Sequence, residues 1–253
     1  MMKGLYTSAS SMMATRRNLD IVSNNLANSS TTGYKKDNGI KRSFPEMLIE
    51  RIEKGENPRE LGGIGTGVHL DGNYTDFTEG SLRSTGNDLD FAIQGGGFFV
   101  VDTPDGRRYT RNGEFTLNQE GELVTHTGYP VLNQEDEVIN LEAGNEGEIN
   151  VDGDGNIYIG DELQEEQIQL ADFDDYRVLD KEGENLYSRG EAEEQPADNS
   201  QILQGSLEGS NVKIVEEMSK MIETNRLYES NQKVIQTMDN TLDKSVNQVG
   251  RIG

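Results

Sequence analysis

Carboxylates are the side chains best equipped for chemistry in this 253-residue chain, because it contains no cysteine and only two histidines, His69 and His126. Without cysteine there is no disulfide framework, no thiolate metal site and no thiol nucleophile. Two scattered imidazoles cannot be tied from sequence to a serine and an orienting acid, so no hydrolytic triad can be assembled. The run Asp152, Gly153, Asp154, Gly155, Asn156 alternates oxygen ligands as a calcium loop does. It departs from that loop where Ile157 replaces the required glycine and Leu163 the bidentate glutamate. Asp-Gly between β-branched runs is also a strong hairpin signal, and the hairpin is the preferred reading. Gly95, Gly96 and Gly97 lack the following helix and the Lys-Ser or Lys-Thr pair of a phosphate cradle, which points to a bulge or a close backbone approach. Asp172, Asp174 and Asp175 have the groups for acid–base work. Residues 134–200, however, hold 22 acids against three basic residues, so such clusters arise there by chance. The expectation is a protein that is not an enzyme and that takes no cofactor, metal or small-molecule substrate.

The elements around these residues fall into two periods. From Lys3 to about Asn28 the apolar positions Leu5, Ala9, Met12, Leu19, Val22 and Leu26 keep spacings of three and four or their multiples, which predicts an amphipathic helix. Asn28, Ser29, Ser30, Thr31, Thr32 and Gly33 then stop it. From Ser210 to Val249 there is neither Pro nor Gly, and Ile214, Met218, Met221, Tyr228, Ile235, Met238, Leu242, Val246 and Val249 form a stripe suited to a coiled-coil seam. About 40 such residues at 1.5 Å each would reach about 60 Å. Asn225, Gln232 and Arg16 interrupt the stripes, and either fix register or face solvent. Ser210 or Asn211 is the expected start of the long helix, with Glu216 and Glu217 in its early turns.

Between the helices, residues 31–75 read as a linker with one short helix around Phe44, Met47, Leu48 and Ile52, followed by the glycines at 62, 63, 65 and 67. Residues 76–207 read as an antiparallel β domain, from Phe91–Val101 through Tyr109, Phe115, Leu117, Leu123 and Val124, with weaker strands near 148–151, 157–159 and 167–173. The fold class is therefore α+β, organised as an N-terminal helix (1–30), linker (31–75), acidic β-rich domain (76–207) and C-terminal helix (208–253).

The net charge is −23, yet it is unevenly placed. Residues 1–54 carry nine basic and five acidic side chains and residues 201–253 carry six and seven, so the ends are nearly neutral while the middle is acidic. A surface packed against many copies of itself cannot hold dense like charge, whereas a solvated one can; saline surroundings would also suit such a surface. The lack of a basic stripe disfavours nucleic acid. No apolar run is long enough to span a bilayer, and no cleavable secretory signal is expected at the N-terminus.

Two terminal motifs carry a family resemblance. Asn24, Asn25, Leu26, Ala27, Asn28 followed by Thr31, Thr32, Gly33, Tyr34 and Lys35 resembles the N-terminal signature of flagellar rod and hook proteins. The stretch Leu207, Glu208, Gly209, Ser210, Asn211, Val212, with Glu216, Met218, Met221, Ile222, Arg226, Tyr228, Glu229 and Asn231, is similar to that family's C-terminal signature. Asp90 to Phe99 and Tyr109 to Gly113 resemble its core β domain. The length, without a large inserted domain, points to a basal-body rod protein of the FlgF or FlgG type. The resemblance implies that the terminal helices run antiparallel as a coiled-coil-like inner domain with the β domain outside. It further implies that subunits stack into a hollow rod that transmits torque, and that they travel through the flagellar export apparatus to the basal body in the cell envelope. Expected partners are copies of the chain, other rod and hook proteins and the export apparatus. The expected assembly residues are those of the two signatures other than Thr31, Gly209, Glu229 and Asn231, together with Leu5, Met12, Leu19, Val22, Ile235 and Leu242.

Overall fold

A computed structural model describes residues 2–51, 59–141, 149–160, 162–183, 185–197 and 200–249. The protein is α+β, with a helix towards each end and antiparallel strands between them. It divides into two compact units: Met1–Ala27, Asp37–Tyr74 and Lys213–Gly253 form one, and Asn28–Lys36 with Thr75–Val212 the other.

The helical unit is built on α1 (Met2–Ala27) and α2 (Ile214–Val249). Glu216 and Glu217 lie in the first turn of α2, where the helix dipole favours negative charge. The helix begins later than Ser210 or Asn211: Ser210 Oγ accepts from the Val212 amide, and the Asn211 side chain is bonded to Lys36 and Asp76. Four strands complete the unit: β1 (Asp37–Ser43), β2 (Met47–Arg51), β3 (Arg59–Ile64) and β4 (Val68–Thr75). β1 pairs with β4, and β2 pairs antiparallel with β3. The short helix expected around Phe44, Met47 and Leu48 is therefore a strand; Ile52 lies outside the described residues. Pro45 holds Phe44 out of the α region, and the glycine-rich segment expected to be slack supplies a partner strand whose pairing outweighs the local 3/4 spacing. Gly62, at φ +130°, lies opposite the irregularity in that pairing.

The β unit centres on a six-stranded antiparallel sheet. Its strands lie in the order Asp180–Glu182, Leu186–Ser188, Gly106–Thr110, Phe98–Thr103, Leu170–Phe173 and Glu194–Pro196. Side chains alternate across a strand, and Phe98–Val101 serves both faces. Phe99 and Val101 join Phe91, Phe115, Ile139 and Ile168 in one cluster, whereas Phe98 and Val100 join Tyr109, Phe173 and Tyr187 in the other.

Tight turns link the strands by a repeated device. The side-chain oxygen of Asn118 accepts from the amides of Glu120 and Glu122, Asn133 from Glu135 and Glu137, and Asp152 from Asp154 and Asn156. The residue three places on has positive φ each time: Gly121, Asp136 and Gly155. Asp152 thus heads a hairpin between Ile149–Val151 and Asn156–Ile159. Burial pushes its carboxyl up, but hydrogen bonds from Asn156, Asp154 and Tyr158 outweigh this and hold it below the usual carboxylate range. Gly96 is a close approach, since an added Cβ would stand 2.9 Å from both Asp172 Oδ2 and the Tyr176 hydroxyl.

Candidate functional site

The two helices meet along a seam of small and polar groups. Gly4 lies against Met238, Asn231 Nδ2 donates to Ser11 Oγ at 2.9 Å, and Asn18 Nδ2 donates to Thr224 Oγ1 at 3.3 Å. Positions 4, 11 and 18 ascend by sevens while 238, 231 and 224 descend by sevens, so the helices run antiparallel. Burial follows the same period. In α1, Ser8, Thr15, Val22 and Asn25 are buried on this period, with Gly4, Ser11 and Asn18 half-buried and Ala14 buried beside Thr15; in α2, Glu217 and Thr224 are buried and Met221, Tyr228, Asn231, Ile235, Met238 and Leu242 half-buried. Asn25 closes the seam by pairing through both side-chain atoms with the backbone of Asp37, at 2.8 and 2.9 Å.

In the β unit, the two sequence signatures meet at a buried charge cluster. Lys35 is 0% exposed, Glu208 1% and Arg111 2%. Lys35 Nζ donates to Glu208 Oε1 at 2.6 Å and to the Thr78 carbonyl at 2.8 Å. Arg111 reaches Glu208 Oε2 at 3.5 Å, donates to the Gly95 carbonyl at 2.9 Å and lies over the Phe98 ring. The Gly80 amide adds a third donor to Glu208. Burial pulls the Lys35 ammonium below its usual range, while the Glu208 charge resists that shift.

Backbone contacts complete the clasp. Gly33 sits at φ +67°, its amide donates to the Glu208 carbonyl at 2.8 Å, and an added Cβ would collide with the backbone of Arg111 and Asn112. Asn211 accepts from the Lys36 amide at 2.8 Å and donates to the Asp76 carbonyl at 2.7 Å. Asn185 donates to the Thr32 carbonyl, and Lys181 caps the Tyr34 ring at 3.9 Å.

The structure sorts the sequence-selected residues into groups. Gly33, Tyr34, Lys35, Leu207, Glu208 and Val212 are buried in the clasp, with Asn28, Thr32, Ser210 and Asn211 half-buried. Val22 and Asn25 are buried in the seam; Met221, Tyr228, Ile235 and Leu242 line it half-buried. Leu5, Met12, Leu19 and Leu26 are half-buried, each one position after Gly4, Ser11, Asn18 and Asn25. Asn24, Ala27, Glu216, Met218, Ile222 and Arg226 are exposed.

The stripe expected on α2 is kept in part: Met221, Tyr228, Ile235, Met238 and Leu242 lie in the seam. Ile214, Met218 and Val246 are exposed, as are the interrupting residues Arg16, Asn225 and Gln232. Those three face solvent, and the polar seam residues are Ser11, Asn18, Thr224 and Asn231. Counting apolar residues passed over Ser8, Thr15, Glu217 and Thr224, although their 4/3 spacing was readable. Arg111 was also missed as a site residue; its signal was a cation beside the apolar run of Phe98–Val101 and Tyr109.

The acids proposed for chemistry are each tied to neighbours. Asp172 accepts from the Tyr176 hydroxyl, Asp174 from Gln195, and Asp175 from the side chain and amide of Arg177, which hold its carboxyl below the usual range.

Comparison with known proteins matches three stretches of the chain to family models. Residues 5–35 match the flagella basal body rod protein family, residues 92–159 the flagellar hook protein FlgE/F/G D1 domain, and residues 203–249 the flagellar basal body rod FlgEFG protein C-terminal family. The chain is 40% identical to the flagellar basal-body rod protein FlgF of Caulobacter vibrioides, covering 98% of this chain and 97% of that one. It is 36% identical to the flagellar hook-basal body complex protein FlhO of Bacillus subtilis over the whole of both chains. It is 35% identical to the FlgG rod protein of the same organism, covering 98% and 99%. The outer two matched stretches supply both sides of the clasp and both helices of the seam, and the chain belongs to the flagellar hook–basal-body family of rod proteins, structural components of the flagellum.

Proposed function

We propose that the chain is a non-catalytic rod subunit that polymerises helically with copies of itself and transmits torque to the hook. The observation that carries this reading is the use made of the helix pair. One side of each helix is spent on the shared seam, while Ile214, Val215, Met218 and Ile222 of α2 and Tyr6 and Met13 of α1 stand exposed. Such a concentration of exposed apolar side chains on two helices marks an interaction surface. In this reading the seam is an antiparallel coiled coil, the helical unit lines the rod and the acidic β unit faces outward. A head-to-tail contact between identical subunits that does not close on itself generates an open helical assembly. The other rod and hook proteins would be its axial neighbours, and the flagellar export apparatus would deliver it.

The experiment is a deletion. A chain lacking residues 1–30, expressed in place of the full chain, is expected to be absent from purified basal bodies and to abolish swimming. Its recovery in basal bodies at the full chain's level would overturn the proposal.

A further inference from the structure

Beside α1 the helical unit has a concavity lined by Ser10, Met13, Ala14 and Arg17 and by Phe44, Val68, His69 and Leu70. Its volume is about 190 Å³. A cavity of about 150 Å³ accommodates a benzene ring, so this one has room for a single large apolar side chain. Met13 on its rim is 72% exposed, and the Phe44 ring stacks on His69 at 4.7 Å to form one wall.

The first turns of α2 carry the matching shape. Val215 is 77% exposed, and Met218 and Ile222 follow at three and seven residues, which places them on one helix face. The charges are complementary. α1 has no acidic residue before Asp20 and carries Arg17 at the cavity, whereas Glu216, Glu223 and Glu229 border the α2 stripe with Arg226 between them.

We propose that the Val215–Met218–Ile222 stripe of one copy seats in the Met13–Phe44–His69 cavity of the next. The inference rests on the self-association reading above and specifies its contact. The two surfaces differ, so the contact is heterologous and leaves a free cavity at one end and a free stripe at the other.

The absence of native cysteine gives a clean test. Seam register places residue 13 level with about residue 229, roughly 20 Å along the helix from residue 215, too far for a bridge within one chain. A chain carrying Met13→Cys and Val215→Cys, oxidised in isolated basal bodies, is expected to give a ladder of multimers on a non-reducing gel, while either substitution alone gives none. Incorporation of the doubly substituted chain without a ladder would overturn the contact and leave the rod reading intact. Dimers from Val215→Cys alone would also overturn it, by showing a symmetric contact. Should the first pair not assemble, Ser10→Cys with Met218→Cys takes its place, since residue 10 is level with about residue 232 and again roughly 20 Å from its partner within one chain, and assembly without a ladder has the same consequence. Absence of the wild-type chain from basal bodies would remove the rod reading and the contact together.

Discussion

Glu208 stands between two buried cations, and its replacement by Gln should be among the most damaging single changes in the β unit. The cluster holds Lys35 and Arg111 against one carboxylate, so Glu208→Gln leaves two like charges buried with no counter-ion. Removing one member of a buried ion pair costs about 3–5 kcal/mol. Lys35→Met changes the balance differently. It leaves Glu208 opposite Arg111 and the Gly80 amide, and its main cost is the charged hydrogen bond to the Thr78 carbonyl, which Asn211 Nδ2 still reaches at 3.1 Å, about 1.5–3 kcal/mol. The carboxylate should therefore cost about 2 kcal/mol more than the ammonium, although both belong to the same 2.6 Å contact. At about 2–4 °C per kcal/mol for a chain of this size, Glu208→Gln lowers the melting temperature by about 6–20 °C. Urea unfolding followed by tyrosine fluorescence reads the difference, because all aromatic side chains of the two buried clusters lie in the β unit. A midpoint shift at unchanged slope reports stability alone. If Lys35→Met costs as much as Glu208→Gln or more, the cluster is not a two-cation, one-anion device and the argument fails.

Three further expectations follow from the same geometry. Gly33→Ala should cost more than the roughly 1 kcal/mol of a left-handed backbone alone, since the new Cβ also meets the backbone of Arg111 and Asn112; a thermal melt indistinguishable from wild type would contradict this. Asp76, Asp152 and Glu182 all titrate below their ordinary range when folded, so between the folded and unfolded values the unfolded chain binds more protons; their contribution is present above about pH 4.5 and is lost as pH falls through the folded values, which a urea midpoint measured from pH 6 to pH 3 tests. Added sodium chloride should raise the melting temperature at pH 7, because a net charge of −23 repels itself and salt screens it; a steady fall with salt would show that the surface ion pairs dominate instead.

The local period of the chain determined its large features. Two Gly- and Pro-poor segments with 3/4 spacing became α1 and α2, and the apolar runs at Phe91–Val101 and Tyr109–Val124 became strands because alternation, turn chemistry and burial all favoured them. The two terminal motifs were also legible, since their residue types and order are specific even without a fold. What the tertiary structure decided was phase and partnership. A one-dimensional count of apolar residues placed Ile214 and Met218 in the α2 seam. The packed seam keeps Met221, Tyr228, Ile235, Met238 and Leu242, leaves Ile214 and Met218 exposed, and adds Glu217, Thr224 and Asn231, because α1 presents Ser8, Ser11, Thr15 and Asn18 and a close helix contact selects small and hydrogen-bonding groups. Likewise Met47–Arg51 had helical spacing but took a strand partner twelve residues on, and that pairing energy is invisible locally. The charge cluster is the extreme case: Lys35, Arg111 and Glu208 lie 76 and 97 positions apart along the chain. A buried carboxylate is tolerable only where its cations are buried with it, and only the folded backbone brings these three together.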